Sequence, residues 1–192
     1  MDIKKEFLTS IKLFIGFSVL LGLIYPLIIT GIAQLTMPYK ANGSLIQKDG
    51  KVIGSDRIGQ NFDSPKYFHS RPSAVNYNGT YSGASNLGPT SKKLIEITQK
   101  NIDKVRKENN IKNSDKISAD MVLSSASGLD PDISIKNAHL QIPRIAKERN
   151  IPEAKLKEIV KKNIDSDFLG IWGHQSVNVL KLNIELDKIS GK

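Results

Sequence analysis

The sequence predicts an α+β domain attached to a single N-terminal transmembrane helix. Three observations predict it: one long uncharged apolar stretch near the N-terminus, segments with helical periodicity, and short β-type segments before and after them. The chain has 192 residues, about the size of one domain. We expect residues 1–40 to form a membrane anchor and residues 41–192 to form the α+β domain.

The membrane anchor is predicted from charge and length. Positions 13–39 are 27 consecutive residues without a charged side chain. A membrane-spanning helix needs roughly 20 predominantly apolar residues, so we place the span at about 13–35. A cleaved signal peptide has an apolar core of only about 7–15 residues and small residues at its cleavage site. This run is longer and no such site follows it, which favours an uncleaved anchor.

Lysines predict the orientation of the anchor. Lys4, Lys5 and Lys12 precede the span, and the positive-inside tendency places such an end in the cytoplasm. With one span, the domain that follows then lies outside the cytoplasm. We therefore expect a single-pass protein of the cell membrane with an extracytoplasmic domain.

Four residues of the span are candidates for contact with a partner helix. Ser18 and Gly22 are four residues apart on one helical face, where small side chains let a second helix approach closely. Tyr25 and Pro26 predict a kink in the helix. A proline inside the membrane frees a backbone carbonyl, which needs a neighbouring group to satisfy it, and this favours a partner helix. Glycine and proline are also frequent in membrane helices generally, so a span without a specific partner is the alternative.

Composition limits the classes of function. The formal net charge is +9, of which residues 41–192 carry +7, and there is no cysteine. A basic domain beside a membrane favours anionic lipid or an acidic partner surface, and the alternative is an ordinary solvated lysine-rich face. The extracytoplasmic location disfavours nucleic acid. Without cysteine, disulfides, cysteine-ligated zinc and a thiol nucleophile are excluded.

A hairpin and a long loop are predicted to follow the anchor. Leu45-Ile46 and Val52-Ile53 are apolar arms on either side of Asp49-Gly50, a turn sequence that tolerates positive φ. Residues 59–91, which we call the docking loop, are crowded with Gly, Pro, Asn and Ser and predict irregular structure. The loop also holds aromatic residues that can pack, and long ordered loops are usually functional. We expect it to contact a partner through Phe62, Tyr67, Phe68, Arg71 and Asn86.

Helices are predicted in the middle of the domain. Leu94, Thr98, Ile102, Val105 and Asn109 recur at helical spacing and predict a helix over 91–110. Positions 117–123 suggest a short strand.

Ser134 is placed as the N-cap of a second helix, which has to kink or restart at Pro143. Pro152 is predicted to open a third helix with Asn150 as its cap. Over 176–189, the alternation of Leu180, Leu182, Ile184 and Leu186 predicts a strand with one buried side.

The sequence contains no recognisable catalytic pattern. Gly83 and Gly88 have the spacing of a phosphate loop, but Pro89 follows where that motif needs lysine. The histidines His69, His139 and His174 are far apart in sequence and show no zinc-binding spacing. Asp130 and Asp132 lack the spacing of a calcium loop. We therefore expect no catalytic residues, no metal and no cofactor of the chain's own.

Six blocks, in order, resemble one known family. They are YPLIITGIAQ, GSLIQKDGKVIGSDRIGQNF, YFHSRPSA, SGASNLGPTS, SGLDPDISIKNAHLQIPRIAKERN and VNVLKLNIELD. Together they resemble the C subunit of the bacterial potassium-transporting P-type ATPase, the KdpC family, from about Tyr25 to Asp187.

The resemblance implies a non-catalytic subunit of a high-affinity, ATP-driven potassium uptake complex. The implied partners are a channel-like potassium-binding subunit, the ATP-hydrolysing P-type pump subunit and a small single-span subunit. The resemblance also implies roles in assembling or stabilising the complex and as a catalytic chaperone that raises the affinity of the pump subunit for ATP. It attaches nucleotide contact to the region of SGLDPDIS (127–134) and to Gln141, so ATP is the one cofactor that it implies.

The predicted topology conflicts with direct nucleotide contact. With the N-terminus inside, Gln141 lies outside, away from cytoplasmic ATP. Turn and cap chemistry around Gly128, Pro131 and Ser134 explains SGLDPDIS without a ligand. We therefore expect the domain to cap the outer face of the channel-like subunit. The alternative is a stand-alone membrane-anchored extracytoplasmic enzyme or ligand-binding protein, which needs a convergent polar site.

Overall fold

An almost unbroken helix occupies the N-terminal end of the chain. The computed structural model describes residues 2–165 and 173–189, and the chain divides into two compact units, Met1–Leu45 and Ile46–Lys192. The first unit contains α1 (Ile3–Val19), a π-helical turn (Leu20–Ile24), α2 (Tyr25–Thr36) and the short α3 (Pro38–Ala41). Ile3–Thr36 is the one helix in the described part of the chain that is long and apolar enough to cross a membrane.

The π-helical turn lies immediately before Pro26. A proline has no N–H, and in an α-helix its ring meets the carbonyl four residues earlier. Here the N–H of Tyr25 donates to the carbonyl of Leu20, five residues back, which widens the helix on the N-terminal side of the proline. The irregularity expected at Tyr25-Pro26 therefore takes the form of a π turn.

The predicted hairpin lies at the start of the second unit, with its first residue, Leu45, at the boundary. Strands β1 (Leu45–Lys48) and β2 (Lys51–Ser55) form a two-stranded sheet. Asp49 and Gly50 connect them, both with positive φ, as the turn chemistry predicts.

The helix predicted over 91–110 is confirmed as α4 (Lys92–Asn109). Ser91 is its N-cap residue, and Asn110 ends it in the left-handed conformation with φ of 52°. The five positions that predicted the helix are all partly or fully buried, because one face of α4 packs on the domain while its lysines face outward.

Ser134 is confirmed as the cap of α5 (Ile135–Arg149), since its side chain accepts a hydrogen bond from the N–H of Asn137 at 3.1 Å. The helix continues through Pro143 and does not restart there. The predicted role of Asn150 is wrong: it is the left-handed C-cap of α5, a position that asparagine tolerates well. Pro152 is the N-cap of α6 (Glu153–Lys162).

Two predicted strands are helical. Within positions 117–123 the structure has a 3₁₀ turn, Ala119–Met121. The segment 176–189 is a strand for only three residues, β5 (Ser176–Asn178), and then helix α7 (Val179–Ile189). The alternating apolar residues indicated a strand because Asn183, which is buried on the helix face, was counted as a solvent-facing polar residue. Val179, Leu182, Asn183 and Leu186 together have the spacing of a helix face.

A small sheet and three helices form the core, giving the α+β class predicted from the sequence. Strands β3 (Asp132–Ser134) and β4 (Ile164–Asp165) both pair antiparallel with β5, in the order β3-β5-β4. The core combines side chains from α5, α6 and α7 with one from each of β3 and β5 and one from the docking loop; they include Ile133, Ala138, Ile142, Ile145, Leu156, Val160, Val177, Leu182, Leu186 and Phe68.

Candidate docking surface

The docking loop is held along the segment that contains SGLD (127–130). The N–H of Gly59 donates to the carbonyl of Leu129 at 2.7 Å, and the N–H of Gly83 donates to the carbonyl of Ser127 at 2.9 Å. Between them, the hydroxyl of Ser73 donates to the carbonyl of Gly128 at 2.6 Å. The backbone of this segment is therefore used within the chain to order a long irregular loop.

Two glycines make this close approach feasible. A Cβ on Gly59 would lie 2.4 Å from the carbonyl oxygen of Asp130. Gly128 has φ of 67°, and a Cβ there would lie 2.7 Å from the carbonyl oxygen of Gly83. Both contacts are shorter than atoms tolerate, so a side chain at either position would push the loop away from its support.

Arg71 and Asp130 join the loop to the same segment through an ion pair of 2.8 Å. Both side chains are roughly a quarter exposed. The hydroxyl of Tyr77 donates to the carbonyl of Arg71 at 2.6 Å, and burial, with a smaller effect of Asp63, raises the pKa of Tyr77 to about 12. Arg71 is thus paired with Asp130 inside the chain, and only part of its side chain is exposed.

Gln141 connects α5 to the docking loop. Its Oε1 accepts from the N–H of His69 at 2.8 Å, and its Nε2 donates to the carbonyl of His69 at 3.1 Å. Nε2 also donates to Asn137 Oδ1, and Oε1 also accepts from Arg144 Nη2 at 2.7 Å. With 2% of its surface exposed, Gln141 is fully engaged inside the domain, and a nucleotide contact would require breaking these bonds.

Arg144 joins three elements below the loop. Its Nε donates to Asn109 Oδ1 of α4 at 2.9 Å, and its Nη1 donates to the loop carbonyls of Pro65 and Tyr67. Arg144 is 7% exposed, and these hydrogen bonds are all to neutral oxygen atoms. Burial lowers the pKa of Arg144 to about 10, so it remains charged at neutral pH. The guanidinium thus holds the loop carbonyls of Pro65 and Tyr67 and the side chain of Asn109 against α5.

His69 lies between the loop and α4. Its ring Nε2 is 3.0 Å from the carbonyl of Ser64, and its Nδ1 is 3.8 Å from a carboxylate oxygen of Glu108. Burial lowers the pKa of His69, and the charge of Arg144 lowers it further. The neutral ring is therefore the stable form in this site.

The other predicted docking residues lie at different depths. Tyr67 is partly buried, donates to Asp187 and packs under the guanidinium of Arg149, 4.6 Å from the ring centre. Phe62 packs on the core and lies 5.7 Å from the ring of Tyr67. Phe68 is 0% exposed and is therefore a core residue rather than one that presents a surface. Asn86 is exposed and has φ of 53°.

The predicted span residues all lie on the exposed surface of the first unit. All four are exposed: Ser18, Gly22, Tyr25 and Pro26. Outside the adjacent residues and the surrounding helix backbone, a Cβ on Gly22 would meet no atom within 4 Å. Every described residue from Asp2 to Thr36 except Ala33 is exposed, so exposure does not distinguish this face of the helix from the others.

A polar cleft of about 310 Å³ lies beside β3. Asp120, Asp130, Asp132 and His174 line it together with Arg71. Asp120 is occupied, since it accepts from the N–H of Ser134 at 2.7 Å and from Asn137 Nδ2 at 3.0 Å. Burial opposes ionisation of Asp120, but hydrogen bonds from Ser118, Ser134 and Asn137 outweigh it and lower its pKa. In residues 2–165 and 173–189, no group of three or more histidine, aspartate or glutamate side chains is arranged to hold a metal ion.

Sequence reasoning missed the buried polar residues that order the loop. Arg144, Asn137 and Asn183 were not singled out, because asparagine and arginine on a helix usually face solvent, and Asn109 was used only as a position on the face of α4. The available signal was position: Asn137, Gln141 and Arg144 fall three to four residues apart on the same face of α5 as Ile145.

Comparison with known proteins gives a consistent result. The profile of the family described as K+-transporting ATPase, c chain (KdpC), matches residues 7–188. Three similar proteins carry the name potassium-transporting ATPase KdpC subunit. The one from Caldanaerobacter subterraneus subsp. tengcongensis is 49% identical, covering 95% of this chain and 94% of its own. Those from Bradyrhizobium diazoefficiens and Bacillus mycoides are both 46% identical, covering 98% and 97% of this chain and 99% and 98% of their own.

Proposed function

This chain belongs to the family of K+-transporting ATPase c chains, KdpC, and from that premise we propose that it is a non-catalytic accessory subunit that assembles and stabilises the potassium-transporting complex. As a KdpC subunit it has partner subunits. We propose that these are a channel-like potassium-binding subunit, the ATP-hydrolysing pump subunit and a small single-span subunit.

One observation carries the proposal: the polar groups of the docking loop and its support bond to each other. Gln141 is buried with all its described hydrogen bonds inside the domain, and the carbonyls of Ser127, Gly128 and Leu129 receive loop donors. A loop that is rigid before binding loses less entropy when it meets a partner. This favours a preformed docking surface over a nucleotide site.

The proposed topology places the domain on the outer side of the membrane. Lys4, Lys5 and Lys12 lie at the N-terminal end of the long apolar helix, which favours a cytoplasmic N-terminus. The domain then caps the outer face of the channel-like subunit. Any effect on the affinity of the pump subunit for ATP acts through the partner subunits rather than through contact of Gln141 with ATP.

Copurification tests the proposed function. A tagged chain is expressed at native level in potassium-starved cells, solubilised in mild detergent and purified. We expect a P-type ATPase and a potassium-binding membrane subunit to come down with it in constant proportion. A tagged chain that comes down alone under these conditions would contradict the proposal and favour the stand-alone alternative.

Gly22→Leu tests the proposed contact made by the span. A Cβ at Gly22 would meet no atom within 4 Å outside the adjacent residues and the surrounding helix backbone, so we expect the substitution to leave the helix intact while it blocks close approach of a second helix. We expect less intact complex in mild detergent. Leu20→Phe, an enlargement about half a helical turn away, is the matched control and should assemble normally. If both variants gave as much intact complex as the unmodified chain, the helix interface would lie elsewhere.

A further inference from the structure

A groove of about 510 Å³ lies between the docking loop and the first turns of α4. The apolar part of its lining comes from three segments: Leu87 of the loop, Leu94 and Ile97 of α4, and Val122 and Leu123 after the 3₁₀ turn. Its size falls within the range of about 300–1,000 Å³ that is common for binding pockets.

The groove leaves large apolar side chains in contact with solvent. Ile97 is 40% exposed and Leu123 is 37% exposed. Single exposed apolar residues are ordinary on protein surfaces, but several lining one concave site mark an interaction surface. One wall belongs to the docking loop, where the hydroxyl of Ser73 bonds to the carbonyl of Gly128 and the N–H of Gly83 bonds to the carbonyl of Ser127. These contacts order that wall before anything binds.

Charge around the groove points to the chemistry of its occupant. The described lining includes Lys93 and no acidic residue. Lys93, Ile97, Lys100 and Lys104 follow one another along α4 at helical spacing, so lysines continue along the helix from the apolar site. Lys104 already pairs with Glu108, whereas Lys93 lies at the groove itself. An apolar segment with a carboxylate at one end complements this surface.

We infer that this groove binds an apolar segment carrying at least one carboxylate, contributed by another subunit of the same ATPase on the same side of the membrane. The inference rests on the proposed function, because it takes the occupant from the complex. The apolar part packs on Ile97, Leu94 and Leu123, and the carboxylate pairs with Lys93.

Two charge-introducing variants in the complete complex test the inference. Ile97→Glu places a carboxylate in the groove, where an apolar partner segment would strip its hydration and where it competes for Lys93, four residues earlier on the same helix face. Lys93→Glu reverses the one charge among the described lining residues. Tagged chains are purified from potassium-starved cells, and the partner subunits recovered per tagged chain are measured. We expect recovery to fall by at least about tenfold for Ile97→Glu and by about three- to tenfold for Lys93→Glu, with the loss for Lys93→Glu becoming smaller at high salt.

The same helix supplies matched controls. Ile95 is 59% exposed and does not line the groove, so Ile95→Glu makes the same chemical change outside it. Lys92→Glu makes the same charge reversal in the same helical turn, and therefore gains the same favourable interaction with the helix N-terminus. Both controls should recover partners at the level of the unmodified chain. Equal thermal midpoints of the purified full chains show that the groove variants fold.

The outcomes separate the two proposals. If the unmodified chain recovers no partners, the proposed function itself fails. If it recovers partners and Ile97→Glu recovers them equally, the groove is not the docking site. If the chain purified alone is a dimer that Ile97→Glu converts to a monomer, a second copy occupies the groove and the inference is overturned.

Discussion

Phe68 and His69 are held by their peptide groups as well as by their side chains. Asn183 accepts from the N–H of Phe68 at 2.8 Å and donates to its carbonyl at 2.9 Å, and Gln141 makes the same pair of bonds with His69. Two amide side chains, from α7 and α5, thus pair with consecutive residues of the docking loop as a neighbouring strand would. Each bond is directional, so together they fix the position of the loop and not merely its burial.

Gln141→Ala should destabilise the domain and leave the nucleotide affinity of the complex unchanged. The substitution removes the partner of both peptide groups of His69, of Arg144 Nη2 and of Asn137 Oδ1. A buried polar group without a partner costs about 1–3 kcal/mol. Water that fills the space left by the side chain offsets part of this cost, so we expect the free energy of unfolding to fall by about 2–4 kcal/mol.

The measurement combines the thermal midpoint of the full chain with the ATP concentration that gives half-maximal activity of the assembled pump. Gln99→Ala, an exposed position on α4, is the control and should change stability by less than about 0.5 kcal/mol. A large rise in the ATP requirement, with the midpoint unchanged, would instead support nucleotide contact by Gln141.

His69 should make the domain less stable as the pH falls. Its pKa in the folded chain is lowered from 6.5 by burial and by Arg144, so below pH 6.5 the unfolded chain binds a proton that the folded chain does not. The contribution of the neutral ring is therefore complete above pH 6.5 and is lost as the pH falls toward the lower folded pKa.

Thermal midpoints measured from pH 7.5 to pH 5.5 test this effect. We expect a steeper decline for the unmodified chain than for His69→Gln. His139→Gln, at an exposed position on α5, should follow the unmodified chain. If the curves of all three proteins are parallel, the titration of His69 does not contribute to stability.

At the scale of elements, the docking loop depends on the segment that supports it. Residues 127–130 receive the loop through three backbone carbonyls and one carboxylate, and the next residues continue as β3. The loop, the small sheet and α5 are thus connected through one short stretch of chain. Turn and cap chemistry predicted its local form, but the sequence held no indication that it was the support for the loop.

Gly128→Ala should disrupt this support. The φ of 67° is costly for a residue with a Cβ, and that Cβ would meet Val75 at 2.6 Å and the carbonyl of Gly83 at 2.7 Å. The conformational cost alone is about 1–2 kcal/mol, so we expect a larger total loss in the free energy of unfolding, together with faster proteolytic cleavage of the docking loop.

Gly88→Ala is the matched control in the same region, because a Cβ there would meet nothing within 4 Å. It should leave both stability and cleavage nearly unchanged. Slow cleavage in Gly128→Ala would mean that the loop is ordered by contacts other than those with residues 127–130.

Elements with a continuous apolar period were predictable from the sequence, and elements that bury polar residues were not. The face of α4 was visible because Leu94, Ile102 and Val105 mark it, and the cap at Ser134 is a local effect of one hydroxyl. Helix α7 was mistaken for a strand because Asn183 interrupts its apolar face. The position of Gln141 at the loop depends on contacts 72 residues apart in sequence, which no local pattern reveals.

For the molecule as a whole, charge and topology are linked. The formal net charge is +9, and most of it belongs to residues after the long apolar helix. If the domain lies outside, this charge faces the entry side of a potassium transporter, where it repels the ion unless acidic partner residues offset it. The location of the domain therefore decides whether its charge acts on potassium entry or on cytoplasmic ligands such as ATP.

The absence of cysteine allows this location to be measured directly. The sequence contains no cysteine, so Ser114→Cys introduces a single thiol into the exposed turn after α4. Asp2→Cys introduces one before the span and keeps the lysines that favour a cytoplasmic N-terminus. Intact cells are treated with a membrane-impermeant thiol reagent, and the chain is then isolated and its labelling quantified before and after lysis.

We expect Ser114→Cys to be labelled in intact cells and Asp2→Cys only after lysis, because a single span places the two positions on opposite sides of the membrane. That pattern would exclude direct contact between Gln141 and cytoplasmic ATP and leave coupling through the partner subunits as the route to the pump. The reverse pattern would place the domain in the cytoplasm, beside the ATP-hydrolysing subunit. Gln141 would then have to leave its buried bonds to reach a nucleotide, and the loss of loop order that this implies would itself become the step to measure.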